Sequence, residues 1–126
     1  MDDGMVRLFG VLGAVLALLA VALGAFGAHA LEGRLEPRAL EVFEIGIRYQ
    51  TTHALALLLV VALAGHLHGG LAVASGWLFI MGTLVFSGSL YLLAITGVGR
   101  LGMITPLGGL AFLAGWALLA GAFLRG

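Results

Sequence analysis

Apolar side chains fill this chain in long runs separated by short polar or glycine-rich stretches, and the first run, Leu8 to Leu31, extends 24 residues without a formal charge. A run of about 18 or more such residues spans the roughly 30 Å hydrocarbon core of a bilayer as a helix, because in lipid the backbone must pair its own polar groups. The protein is therefore integral to a membrane. Similar runs predict further spans at about 49–67, 71–95 and 106–124, the second beginning near Thr51 and extended backwards through Tyr49 and Gln50. Short connections between four spans imply an all-α membrane protein, an antiparallel four-helix bundle forming one domain over residues 1–126.

Polarity changes abruptly between Glu32 and Arg48, where seven of the twelve charged residues lie. Pro37 suits a first helical turn, and Arg38, Glu41, Glu44 and Arg48 then recur at spacings of three and four, with Leu40, Phe43 and Ile47 on another face. This predicts a short amphipathic helix over about 37–48 lying in the membrane interface between the first two spans. Arg38 with Glu41 and Glu44 with Arg48 have the spacing of intrahelical ion pairs, each worth about 0.2–0.5 kcal/mol on an exposed helix. Thr105-Pro106 resembles an N-cap followed by proline at the first helical position, opening the fourth span.

Ala28-His29-Ala30 has the shape of a signal-peptide cleavage site, but the apolar run is longer than the usual h-region of about 7–15 residues, and Asp2 and Asp3 precede it. An uncleaved first span is expected. Arg34, Arg38, Arg48 and Arg100 lie in the first and third connections, against Arg7 and Arg125 near the termini. The positive-inside rule then makes the charged segment cytoplasmic and both termini external.

Composition narrows the function classes. Acidic and basic residues balance at six each, so no basic surface for nucleic acid is expected. With no cysteine the chain has no disulfide, thiol nucleophile or iron–sulfur ligand. Every basic residue is arginine amid heavy use of Ala, Gly, Leu and Val, a pattern of GC-rich bacterial genomes that points to a bacterial inner membrane. The 21 glycines have a packing meaning in lipid, where small residues let helices approach closely. Ala20, Gly24 and Ala28 form one small-residue ridge on the first span, and Ala111 with Gly115, and Ala117 with Gly121, form others on the fourth. Such ridges serve packing within the chain or onto another subunit.

Polar side chains at membrane depth are costly and so are candidate functional groups. His29 ends the first span and His53 begins the second, which predicts that antiparallel helices bring them to one end of the bundle. Tyr49 and Gln50, on the His53 face, complete a candidate polar cluster. Ser87, Ser89 and Thr96 are best read as hydrogen-bonding to their own backbone or across to a neighbour, and Ser87, Ser89, Tyr91 and Thr105 are further candidates for the cluster. Two histidines on facing helices also raise the possibility of a haem clasp, and His66 with His68 a metal site, although two residues apart in a turn they share no helix face. No serine–histidine–acid set is present, and Gly10-x-x-Gly13, Gly97-x-Gly99 and Gly108-Gly109 lack the strand and lysine of a phosphate loop. No catalytic residue, cofactor or metal is expected.

Four stretches in order, Gly24-Ala25-Phe26-Gly27-Ala28-His29-Ala30-Leu31, Tyr49-Gln50-Thr51-Thr52-His53-Ala54-Leu55, Phe86-Ser87-Gly88-Ser89-Leu90-Tyr91 and Ile104-Thr105-Pro106-Leu107-Gly108-Gly109, with Gly115-Trp116, resemble a domain-of-unknown-function family. That family comprises small inner-membrane proteins typified by YgdD and YwdK, with eukaryotic transmembrane relatives. The resemblance covers nearly the whole chain and implies four membrane helices without implying an activity. It marks His29, Tyr49, Gln50, His53, Ser87, Ser89, Tyr91, Thr105 and Pro106 as motif positions. The reading that follows is a non-enzymatic membrane protein acting through helix packing, as an accessory subunit of a larger complex or a small homo-oligomer. A small proton-linked carrier using the His/Tyr/Gln cluster is the alternative, and a haem- or quinone-binding protein a third.

Overall fold

A computed structural model describes all 126 residues, and it contains four helices long and apolar enough to cross a membrane. Helix α1 covers Asp3–Leu31. It opens on Asp2, whose carboxylate accepts from the Met5 amide at 2.7 Å, one of the orphan donors of a helix start. Between Leu23 and Gly27 it widens into a single π-helical turn, with the Ala28 amide donating to the Leu23 carbonyl five residues back, before a last α turn at Ala28–Leu31. Helix α2 is Pro37–Ala62, α3 is Gly69–Thr96 and α4 is Thr105–Arg125. Short 3₁₀ turns at Ala64–His66 and Gly99–Met103 join α2 to α3 and α3 to α4.

The ends follow local chemistry. Pro37 sits in the first turn of α2, where its missing N–H costs nothing. The His68 imidazole accepts from the Leu71 amide at 3.3 Å and caps α3, whose other end stops at Gly97, left-handed at φ 71°, a conformation only glycine adopts without strain. Thr105 departs from expectation: it lies inside the first turn of α4, makes no capping bond, and turns its hydroxyl to Ser89. Pro106 keeps its expected place in that turn.

One difference from the sequence reading changes the depth of every residue on α2. The segment 37–48, expected as a separate interfacial helix, runs without interruption into the second span as the first three turns of one 26-residue helix. Backbone hydrogen bonding has no reason to stop where side-chain polarity changes. The expected Arg38–Glu41 pair forms at 3.2 Å, whereas Glu44 and Arg48 do not pair.

Helices α2 and α3 form the buried centre, and α1 and α4 flank them as the more exposed pair. Helix α1 packs chiefly on α2, and α4 on α3. Aromatic rings seated on glycines set these approaches. A Cβ on Gly46 would lie 2.6 Å from the Tyr91 ring, on Gly82 2.6 Å from Phe112, and on Gly115 2.7 Å from Phe79, while Gly76 receives Phe9. In lipid, where no hydrophobic drive pulls helices together, such knob-and-hole contact supplies cohesion. Ala20 is buried in the α1 ridge, but Gly24 has ordinary room beside Ile47. Of the fourth-span ridges, Gly115 is buried and Ala117 is exposed.

Both termini share one end of the bundle with the α2–α3 connection, where the His68 amide donates to the Ala122 carbonyl at 2.9 Å. The charged 32–36 connection and Arg100 occupy the opposite end.

Candidate polar site

Helix α2 holds His53 sixteen residues past Pro37, hence roughly 24 Å below its start, buried between α3 and α4. Its Nδ1 lies 2.7 Å from the Tyr49 carbonyl, which can only accept, so Nδ1 carries the proton. Its Nε2 is then the acceptor, and the Trp116 indole N–H donates to it at 3.0 Å. Those partners define a neutral imidazole with both nitrogens engaged. The ring stacks on Phe112 at a centroid separation of 3.5 Å and 8° between planes, with Phe79 at 5.5 Å. Tyr49, Phe86, Pro106, Phe112 and Trp116 join His53 around an open groove of about 530 Å³ between α2 and α4.

Gln50 turns the other way. Its Nε2 donates to the Leu16 carbonyl of α1 at 2.8 Å, and its Oε1 accepts from the Tyr91 hydroxyl of α3 at 2.7 Å, so one side chain ties three helices. Close by, the Ser87 hydroxyl donates to the Gly46 carbonyl at 2.7 Å. Ser89 and Thr105 share a hydrogen bond of 2.6 Å between α3 and α4. No buried side-chain nitrogen or oxygen lacks a partner.

The expected single cluster is thus two networks plus an outlier. His53 and Tyr49 face α4, whereas Gln50 and Tyr91 face α1 and α3. His29 joins neither. Its side chain is 85% exposed at the far end of α1, 3.9 Å from the Glu32 carboxylate, an ion pair only when the imidazole is protonated. Same-end placement follows if the second span begins where the apolar run does, but α2 begins sixteen residues earlier than His53. The two histidines therefore cannot flank one haem, and His53 offers no free nitrogen to ligate one. No three metal-ligating side chains converge anywhere, and His66 and His68 stand in the α2–α3 turn, His68 as a helix cap.

Sequence reasoning missed Trp116 as a partner, and Ser75, whose hydroxyl donates to the Gly115 carbonyl at 2.9 Å. Trp116 carried a signal: tryptophan favours the membrane interface, and one in the middle of a span needs an acceptor for its N–H. Ser75 had no such mark.

Comparison with known proteins finds relatives for most of the chain. A family model described as protein of unknown function (DUF423) matches residues 23–109, which include all four motif stretches. The chain is 48% identical to the membrane protein YwdK of Bacillus subtilis over 120 residues, covering 94% of this chain and 98% of that protein. It is 45% identical to the membrane protein SH2409 of Staphylococcus haemolyticus over 113 residues, covering 90% and 92%, and 44% identical to SERP0230 of Staphylococcus epidermidis over 119 residues, covering 94% and 97%. No solved structure matches significantly.

Proposed function

This chain belongs to the DUF423 family of membrane proteins, and from that footing we propose that it acts without catalysis, as a packing component of a membrane assembly. It serves either as an accessory subunit beside other membrane proteins or as a small homo-oligomer. One observation carries the reading: the interior polar side chains Gln50, His53, Ser75, Ser87, Ser89 and Thr105 are each hydrogen-bonded within the protein, most of them across to another helix. A residue so engaged fixes helix registry, its hydrogen bonds being spent inside the protein on holding helices together. The bacterial membrane proteins it resembles support a bacterial inner-membrane location, and the positive-inside rule an orientation with the arginine-rich end cytoplasmic and both termini outside.

Purification from native membranes at native abundance, with mass spectrometry of what co-elutes, tests the proposal. Stoichiometric companions or a discrete oligomer support it. A lone monomer that moves protons or ions in reconstituted vesicles overturns it and favours the carrier.

A second reading rests on the groove beside His53. Its aromatic walls suit a flat apolar ring with an isoprenoid tail, such as a quinone. In a Trp77→Phe background Trp116 is the sole tryptophan, and saturable quenching of its fluorescence by a quinone supports this reading; unsaturable quenching rejects it.

A further inference from the structure

The outer face of α2 carries charge below the edge of the apolar girdle. Contacts between helices fix the depth: Gly27 stands opposite Phe43 and Gly24 opposite Ile47, while Ser87 bonds Gly46. Arg48 is therefore level with about Leu23 of α1. Counting from Leu8, about 20 residues of helix fill a hydrocarbon layer of roughly 30 Å, which brings its upper edge near Ala28. Arg48 then lies about 7 Å inside that edge, and Glu44, one turn higher, close to it. The flanking helices agree, for Phe26 on α1 and Leu92 on α3 present exposed apolar side chains above the level of Arg48.

Glu41, Glu44, Arg48, Thr51, Thr52, Leu55 and Leu59 are all exposed on the side of α2 turned away from α3. Neither Glu44 nor Arg48 has an ion-pair partner within the chain. The Thr51 and Thr52 hydroxyls donate back to the Ile47 and Arg48 carbonyls and are not available to either charge. An ionisable group at such depth calls for a partner.

We propose that this face packs on the same face of a second copy of the chain, about a two-fold axis along the membrane normal, with Glu44 of each copy paired to Arg48 of the other. Three features single out a second copy. Two copies inserted the same way meet with equal residues at equal depth, and Glu44 and Arg48 are offset by one turn, about 6 Å, within the span of an arginine and a glutamate side chain. Glu41 is already paired with Arg38, so the patch keeps one unpaired charge of each sign, Glu44 and Arg48, at that offset and complements itself. Below the charges, Arg48, Thr52, Leu55, Leu59 and Ala62 recur at alternating spacings of four and three, the repeat that keeps one seam of two helices in contact. A lipid phosphate would neutralise Arg48 but leave Glu44 unpaired beside an anion.

This names the partner for the packing role proposed above. The absence of cysteine permits a clean test in native membranes, because a single introduced thiol can link only to its own equivalent or to another protein. Oxidised Leu55→Cys is expected to run mostly at twice the 12.9 kDa chain mass, at least tenfold more than Leu113→Cys on the lipid face of α4. In the Leu55→Cys background, Glu44→Arg or Arg48→Glu should reduce linking about tenfold, and the double reversal should restore it. Should a reversal prevent insertion, Glu44→Gln removes the pair without adding a like charge and should also lower linking. A monomeric Leu55→Cys, equal linking at Leu113→Cys, indifference to both reversal and Glu44→Gln, or a double reversal that fails to restore linking would overturn the dimer. Linking to a different protein overturns it while leaving the packing role intact. A linked dimer that catalyses flux upholds the interface and overturns the packing role.

Discussion

The Trp116 indole N–H donates to Nε2 of His53 across 3.0 Å, joining α4 to α2 over a groove where the two backbones stay apart. Each residue supplies what the other lacks at that depth, a donor that needs an acceptor and an imidazole nitrogen that needs a proton donor. In a double-mutant cycle with His53→Ala and Trp116→Phe, measured by denaturation in mild detergent, the coupling energy should be about 1 kcal/mol. Additive effects would show that the two side chains do not interact.

Glycine positions differ sharply in what they tolerate. Gly115→Ala places a methyl 2.7 Å from Phe79 and should destabilise the bundle by about 1–3 kcal/mol. Gly24→Ala meets only Ile47 at 3.6 Å and should shift stability by less than about 0.5 kcal/mol. Thermal unfolding in the same detergent compares the two, and equal losses would contradict the packing described.

Tyr91→Phe leaves Oε1 of Gln50 buried without a donor and should cost about 1–2 kcal/mol. Adding Gln50→Leu removes the orphaned acceptor, so the double variant should lose less than the sum of the single ones. Strict additivity would show that the hydroxyl does not serve Gln50.

The proposed orientation rests on arginine placement. With a membrane-impermeant maleimide on intact cells, Asp2→Cys should react and Glu36→Cys should react only after lysis. The reverse labelling pattern would put the charged end outside.

Four helices were legible because an uncharged run long enough to cross lipid has few alternatives, and their pairing followed from short connections. The depth of α2 was not legible. Arg38 to Arg48 look interfacial by polarity, and only the unbroken helix shows that they extend the second span and carry His53 far from His29. Hydrogen-bond partners across helices were legible in type but not in pairing. Gln50 and His53, three residues apart, looked like one cluster, yet a helix turns about 300° over that interval and their polar ends serve different neighbours. Ser87 is legible as a backbone or interhelical donor, but Gly46 as its acceptor comes only from the packed structure.

Helix α1 is the least buried of the four helices. Its main seat is the flank of α2, its interior bond to Gln50 is one of the few polar ties it has, and α4 gives it little support. The three later helices can assemble around Gly82, Gly108 and Gly115 before α1 docks. In native-state hydrogen exchange, α1 should open as a unit of its own while the α3–α4 amides stay protected. Newly made chains would then pass through a three-helix stage with the α1 flank of α2 bare, a surface on which a membrane insertase or chaperone can act.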